Sequence, residues 1–321
     1  MHRMPLGVCY KSSMMRTTAF TPYAVLALGV AVVSTASILI RYAQGQAVPS
    51  LTIAAVRLGL AAALLTPLVW ARAAGELQAL RRRDLALALL SGTALAVHFW
   101  SWIASLAYTS VASSTALVTT NPLWVGLASL LILGERLGRR TIGGIALTLA
   151  GGACIFASDS SAGSAGLQPD PLRGNLLALL GALAASAYLL IGRAVRPRVG
   201  LLVYIWLTYG TAALVLMMVV GIAGYPLAGY SALAYAAMIG LALGPQLLGH
   251  TAFNWALRHV SATFVAVSIL GEPIGSALLA LLIFGEGFAP LQLGGFALLL
   301  AGIFLAARGE QDATATQAGR R

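Results

Sequence analysis

Polar side chains that could bind a solute occur at one-turn spacing inside two long apolar stretches of the sequence. Gln246, His250 and Asn254 are each four residues apart, and this spacing places all three on one face of an α-helix. His98 and Trp102 repeat the spacing in an earlier stretch. Buried polar groups are costly unless they find partners. Each stripe is therefore either the wall of a solute cavity or a hydrogen-bonding contact between packed helices.

One acidic side chain, Glu272, lies in the middle of another apolar stretch, directly before Pro273. A proline inside a helix removes a backbone donor and frees a carbonyl one turn earlier. A carboxyl group buried there could be neutral or charged near pH 7, which suits coupling to protons. Two other interpretations stay open: an ion pair with Arg57, which lies in an apolar stretch of its own, and a glutamate held neutral by hydrogen bonds.

Helices in a lipid bilayer must position these groups. The 321 residues are 59% hydrophobic and 9% charged, whereas soluble domains contain about 25% charged residues. A bilayer core needs roughly 20 apolar residues of helix per span, and unpaired backbone is not tolerated in lipid. We predict an all-α integral membrane protein with ten transmembrane helices. The predicted spans are 22–41, 50–70, 84–106, 111–133, 140–157, 174–192, 201–222, 231–257, 262–284 and 289–307.

The basic residues predict the topology of these spans. With ten spans, 17 of the 20 lysine and arginine residues fall on one side of the membrane, together with both chain ends. Basic loops stay in the cytoplasm, so we predict a multi-pass protein of the inner (plasma) membrane with both termini cytoplasmic. The net charge of +11 is then a topology signal, and no nucleic-acid partner is expected.

One pattern occurs twice in the chain, with a constant offset of 151 residues. The matching features are Asn121-Pro122 with Glu272-Pro273, Gly134-Glu135 with Gly285-Glu286, and the glycine-rich stretch 143–151 with 294–302. Constant register indicates internal duplication. Because each half holds five spans, the second half must enter the membrane upside down, and inverted repeats are typical of secondary transporters.

The duplication divides the chain into five predicted segments. They are a cytoplasmic N-terminal segment (1–21), a first five-helix repeat (22–157), a linker (158–173), a second five-helix repeat (174–307) and a disordered cytoplasmic tail (308–321). The linker and the tail are predicted to be flexible from their small and polar residues.

With these motifs the sequence resembles the EamA-type transporters of the drug/metabolite transporter superfamily. The matching motifs are residues 108–112, 121–122 and 134–136 in the first half and 255–262, 272–273, 285–286 and 294–295 in the second. The resemblance covers about residues 22–307 and includes Arg57, which matches an arginine common in the second helix of the family. It implies two inverted five-helix repeats around a central cavity, and transport, mostly export, of amino acids, other metabolites or toxic compounds.

The resemblance further implies that helices one, three, four, six, eight and nine line the cavity. The substrate-contact candidates on these helices are His98, Trp102, Asn121, Tyr188, Gln246, His250 and Asn254. Arg57 and Glu272 are the candidates for coupling. Glu135 and Glu286, at helix ends on opposite faces of the membrane, either cap the following helices or act as gates. The glycine ridges of helices five and ten indicate scaffold or dimer contacts, so the protein is predicted to be a monomer or a homodimer.

Several kinds of site are missing from the sequence. It contains no P-loop and no His-Glu-x-x-His motif, and its two cysteines cannot form a four-cysteine metal site. We predict no metal, no cofactor and no enzyme activity. The predicted function is secondary transport of a small amphipathic metabolite by alternating access, with export preferred and a proton gradient as the candidate driving force. The alternatives are an importer, a membrane enzyme using His98 or His250 as a base, and a channel or lipid scrambler.

Overall fold

The computed structural model describes residues 21–108, 114, 117–132, 138–161, 170–284 and 290–318. Every regular element in these residues is a helix. The first half contains α1 (Thr21–Val33), α2 (Ala36–Gly45), α3 (Ser50–Arg72), α4 (Ala74–Gln78), α5 (Arg82–Ser105), α6 (Asn121–Ile132) and α7 (Arg139–Ser161). The second contains α8 (Pro171–Val195), α9 (Leu201–Ala223), α10 (Ala232–Leu241), the π-helix π1 (Ala242–His250), α11 (Thr251–Ala256), α12 (Ala262–Ile269), α13 (Glu272–Phe284) and α14 (Pro290–Ala318).

Seven helical stretches in the described part of the chain are long and apolar enough to cross a membrane. They are Thr21–Gly45, Ser50–Arg72, Arg82–Ser105, Leu172–Val195, Leu201–Ala223, Ala232–Ala256 and Ala262–Ile283. The other three predicted spans overlap α6, α7 and α14, and α6 covers only the second half of the span predicted over 111–133. The protein is therefore an all-helical, multi-pass membrane protein, and the count of ten spans stays a prediction.

Two of the spanning stretches are interrupted, and they touch each other at the interruptions. The stretch Thr21–Gly45 breaks between α1 and α2, where the Ser34 hydroxyl donates to the carbonyl of Val30. The stretch that contains α12 and α13 breaks just before Glu272, whose carbonyl lies 3.3 Å from the same hydroxyl. The Ser276 hydroxyl donates to the Ser34 carbonyl at 3.0 Å. The hydroxyl groups of Ser34 and Ser276 thus bond to backbone carbonyls at the two breaks and join the interrupted stretches to each other.

Equivalent helices of the two halves run antiparallel. In the α3–α9 pair, Trp206 Nε1 donates to Thr66 Oγ1 at 3.0 Å, whereas Thr52 near the start of α3 reaches the Pro226 carbonyl beyond the end of α9. In the α7–α14 pair, Gly309 packs on Thr141 and Gly302 packs on Thr148. As residue numbers rise in one helix they fall in its partner, which is the pairing that inverted halves require.

The α7–α14 contact depends on the absence of a side chain at Gly302. A Cβ atom at this position would lie 2.7 Å from the Gly144 carbonyl oxygen and 2.8 Å from the Thr148 nitrogen. At Gly294 in the same helix nothing lies within 4 Å. We expect Gly302→Ala to destabilise the purified protein by about 1–3 kcal/mol, because the backbones must move apart. Gly294→Ala should melt like the wild type in a thermal unfolding assay, and equal melting of both variants would contradict the packing.

Hydrogen bonds join the two halves at both ends of the bundle, at matching positions of the repeat but with different chemistry. At one end Arg198 donates to Asp84 at 2.6 Å, which raises the pKa of Arg198, and the Gly200 nitrogen donates to the Glu76 carboxylate. At the other end the Ser231 hydroxyl donates to Gln46 at 2.7 Å, and the contact of Thr52 with Pro226 is equally uncharged. When the residue numbers of one set of contacts are shifted by the repeat offset of 151, each residue falls within four positions of a residue in the other set.

Two segments differ from the prediction. Residues 308–318 were predicted to be a disordered tail, but α14 continues to Ala318. Residues 310–318 contain neither glycine nor proline, and Gly309 packs on Thr141, so the helix has no stop signal there. The predicted linker is also shorter, since α7 extends to Ser161 and α8 begins at Pro171. Residues 162–169 and the N-terminal residues 1–20 lie outside the described part of the chain.

Candidate functional site

A cavity lies where the interrupted helices meet. The empty space between its walls is about 660 Å³, including its opening to solvent. Its lining residues come from both halves: Val33, Ala36, Arg57, His98, Trp102, Val118, Thr119 and Asn121 from the first, and Ala185, Tyr188, Leu189, His250, Phe253, Ile269 and Glu272 from the second. The structure thus brings seven of the predicted site residues together, and they are Arg57, His98, Trp102, Asn121, Tyr188, His250 and Glu272.

Arg57 on α3 is almost completely buried, with 1% of its surface exposed. Its Nε donates to Gln246 Oε1 at 2.8 Å, and its guanidinium carbon lies 4.0 Å from the centre of the Phe99 ring. Within the residues that the structure describes, no ion pair joins Arg57 to Glu272. The ion-pair interpretation of Glu272 therefore does not apply to this conformation.

Aromatic rings form one side of the cavity. The His98 ring stacks on Trp102, with centroids 6.0 Å apart and planes at 9°. His98 Nδ1 lies 3.0 Å from the Gly181 carbonyl oxygen. A carbonyl only accepts, so Nδ1 carries the proton and Nε2 of the neutral ring is an acceptor. His250 packs edge-on against Phe99, with centroids 5.1 Å apart.

Gln246 and Asn254 lie behind the lining residues. Gln246 holds Arg57, and Asn254 Nδ2 donates to the Tyr188 hydroxyl. Because π1 closes its hydrogen bonds over five residues, the four-residue spacing from Gln246 to His250 is less than one turn. The two amides contact Arg57 and Tyr188 and are not among the lining residues of the cavity. Their direct contact with a substrate stays a prediction.

Unsatisfied polar atoms concentrate at this site. In the described part of the chain, seven buried side-chain polar atoms lack a hydrogen-bond partner, and six of them belong to predicted site residues. These six atoms are Arg57 Nη1, Trp102 Nε1, Asn121 Oδ1, Gln246 Nε2, His250 Nδ1 and Asn254 Oδ1. Each such group costs about 1–3 kcal/mol when left unpaired. A cluster of them around one cavity is the arrangement that a polar ligand or water would satisfy.

Sequence reasoning missed Phe99, which contacts both Arg57 and His250. His98-Trp102 and His250-Asn254 have the same four-residue spacing and lie 152 residues apart, one more than the repeat offset. The structure places both histidines in the cavity wall, one from each half. Glu135 and Glu286 fall outside the described residues, so their predicted capping or gating role stays a prediction.

The two halves also match a known protein family. The model of the EamA-like transporter family matches residues 21–157 and 172–308. The chain belongs to the EamA-like transporter family. Its membership is consistent with the drug/metabolite transporter superfamily, and the two matched segments agree with the duplication predicted from the 151-residue offset. A multi-pass membrane protein of a transporter family is the identity that these findings support.

Other comparisons add only the fold. No curated protein sequence matches the chain. A solved structure titled "Crystal structure of protein" superposes on this EamA-like chain with a TM-score of 0.73 at 19% sequence identity. The match covers 92% of this chain and 99% of that chain. At this identity the likeness shows a shared fold and carries no information about the substrate.

Proposed function

We propose that this EamA-like protein is a secondary transporter that moves a small amphipathic metabolite, an amino acid or a similar compound, across the inner membrane by alternating access. The preferred direction is export. The observation that carries the proposal is the cavity between the halves: among the described residues, four of the seven unpaired buried polar atoms belong to its lining residues and two more belong to Gln246 and Asn254 directly behind them. A site between inverted repeats, beside interrupted helices, is where secondary transporters bind their substrates.

Reconstitution into liposomes tests this function. Vesicles loaded with a mixture of unlabelled amino acids should accumulate a labelled amino acid transiently by counterflow, and the rate should saturate with concentration. A channel or a scrambler gives neither counterflow nor saturation at these concentrations. Export and import are then separated in cells, where deletion should raise the internal concentration of the substrate if the protein exports it.

The proposal includes ten spans in two inverted repeats, with both termini in the cytoplasm. The antiparallel α3–α9 and α7–α14 pairs support the inversion. We expect reporters fused to either chain end to be cytoplasmic, with green fluorescent protein fluorescent and alkaline phosphatase inactive. Fusion after residue 46 should give active alkaline phosphatase, because that loop would face the outside. Termini on opposite sides of the membrane would contradict an even number of spans.

A further inference from the structure

Arg57 is the only guanidinium among the described lining residues of the cavity. It lies within an apolar helix of 23 residues, α3, and is almost completely buried. A charge inside a membrane protein is costly unless it is paired, and such residues commonly mark the path of a substrate or an ion. The described residues show what holds this charge, and none of them places a carboxylate within ion-pair distance of it.

Two contacts fix the guanidinium in place. Its Nε donates to the side-chain oxygen Oε1 of Gln246 at 2.8 Å, and the Phe99 ring covers one face of the guanidinium. Nη1 has no hydrogen-bond partner. Because Gln246 is fully buried and does not line the cavity, its contact orients Arg57 without competing for a ligand in the cavity.

Arg57 also makes no short-range ion pair with any described residue of the cavity wall, although the charge of Glu272 acts on it from a longer distance. Glu272 lines the same cavity, but no ion pair joins the two side chains among the described residues. A second N–H donor of the cavity wall, Trp102 Nε1, is likewise without a partner. A guanidinium presents its donors in a planar fork that matches the two oxygens of a carboxylate. The missing group therefore has the chemistry of a carboxylate.

We infer that Arg57 is the receptor for a carboxylate group of the substrate, and that Gln246 is the positioning residue that holds Arg57 for it. The inference rests on the proposed transport function and adds to it the charged group that the substrate must carry. It reassigns Arg57 from coupling to specificity and Gln246 from substrate contact to positioning. Analogues that keep the size of the substrate but lack the negative charge should be rejected, because the guanidinium would lose its partner.

Binding to purified protein in lipid nanodiscs tests the inference. The standard amino acids are screened first, and the tightest one is compared with its own carboxamide, which differs only in lacking the carboxylate charge. The wild type should bind the acid about 30-fold more tightly than the amide, or better, as expected for a buried charge pair. Arg57→Gln should remove this preference, and Arg57→Lys should keep only part of it because an ammonium lacks the fork.

Gln246→Leu tests the positioning role. It should reduce the acid-over-amide preference although the side chain does not line the cavity, whereas a merely structural defect would weaken acid and amide binding equally. Gln44→Leu is the matched control, since Gln44 also donates across a helix boundary, to Ser50, but does not contact Arg57 and is absent from the cavity wall. This control should retain the full preference.

The outcomes separate the inference from the transport function. An unchanged preference in Arg57→Gln and Arg57→Lys overturns the inference, and so does a wild type that binds no amino acid. Acid-selective binding without counterflow in liposomes overturns the transport function and leaves the carboxylate receptor standing. Counterflow without acid selectivity overturns the carboxylate receptor and leaves the transport function standing. If Arg57→Gln fails to fold, Arg57→Lys and Gln246→Leu still decide the matter.

Discussion

Replacement of Glu272 by glutamine is expected to abolish proton-driven accumulation of the substrate while leaving its downhill exchange intact. Glu272 is the first residue of α13, directly after the break from α12, and it lines the cavity. Glutamine preserves the size and polarity of the side chain, but its NH2 group replaces one carboxyl oxygen and it does not titrate near pH 7. Uphill transport in liposomes with an imposed pH gradient, compared with counterflow without a gradient, measures both activities.

A matched variant separates proton coupling from general damage. Glu76→Gln removes a carboxylate that accepts from the Gly200 nitrogen at one end of the bundle and does not line the cavity. This variant should keep gradient-driven accumulation. If Glu272→Gln accumulates substrate as the wild type does, the coupling role of Glu272 is wrong. Asn121, the equivalent residue of the first half, has no ionisable group, so a single carboxyl would carry the coupling.

Arg196→Gln is expected to lower the unfolding free energy by about 3 kcal/mol. Arg196 follows α8 and is 2% exposed. Its Nε donates to the Asn254 carbonyl at 3.0 Å, and its Nη1 donates to the Val199 carbonyl. Burial lowers the pKa of Arg196 to about 10, so the group is still charged at pH 7. Its removal leaves the carbonyl of Asn254, near the end of α11, without this donor. Thermal unfolding in detergent measures the loss.

Arg198→Gln is the control for this prediction. Arg198 lies two residues further along the chain, its side chain is 45% exposed, and it pairs with Asp84. Asp84 is 6% exposed, but the solvent-exposed guanidinium leaves the pair open to screening, so we expect it to contribute about 1 kcal/mol and to weaken with salt. Arg198→Gln should therefore melt close to the wild type. Similar losses for both variants would mean that burial of Arg196 is not what stabilises this corner.

Arg196 also connects the loop after α8 to the cavity. It binds the backbone of Asn254, whose side chain supports the Tyr188 hydroxyl in the cavity wall. We therefore expect the folded fraction of Arg196→Gln to bind substrate more weakly, with Arg198→Gln again unaffected.

The sequence predicted the clustering of the site because its signals are local. Helical spacing of His98 with Trp102, and a glutamate beside a proline, are visible without coordinates, and the structure places all three side chains on one cavity. The roles of Gln246 and Asn254 were not predictable in this way. The place of Gln246 depends on π1, which adds one residue to a turn that contains Pro245, and the packing of α1 against this segment involves Gly249 and Val33. The place of Asn254 depends on Tyr188, which lies on a helix far away in sequence. The two residues of this contact are far apart in sequence, so helical spacing does not reveal it.

The fold shows the same division between local and distant information. Apolar length predicted the positions of α3, α5 and α9 to within a few residues. The end of α14 differs from the prediction because a polar composition indicates disorder only weakly, and alanine, glutamate and glutamine all favour helix. The hydrogen-bonded residues Arg57 and Gln246 are 189 positions apart in the sequence. No spacing rule within one helix can predict such a pair.

An ion pair joins the halves at one end of the bundle, and uncharged hydrogen bonds join them at the other. This difference has a consequence for how each face of the protein responds to salt. Ionic strength weakens the link between Arg198 and Asp84, while the uncharged link between Ser231 and Gln46 is insensitive to it. If the protein alternates between two orientations as proposed, and these contacts open and close with it, salt shifts the balance between the orientations. The protein's apparent affinity measured from one face of a vesicle should then shift with potassium chloride more than its affinity from the opposite face.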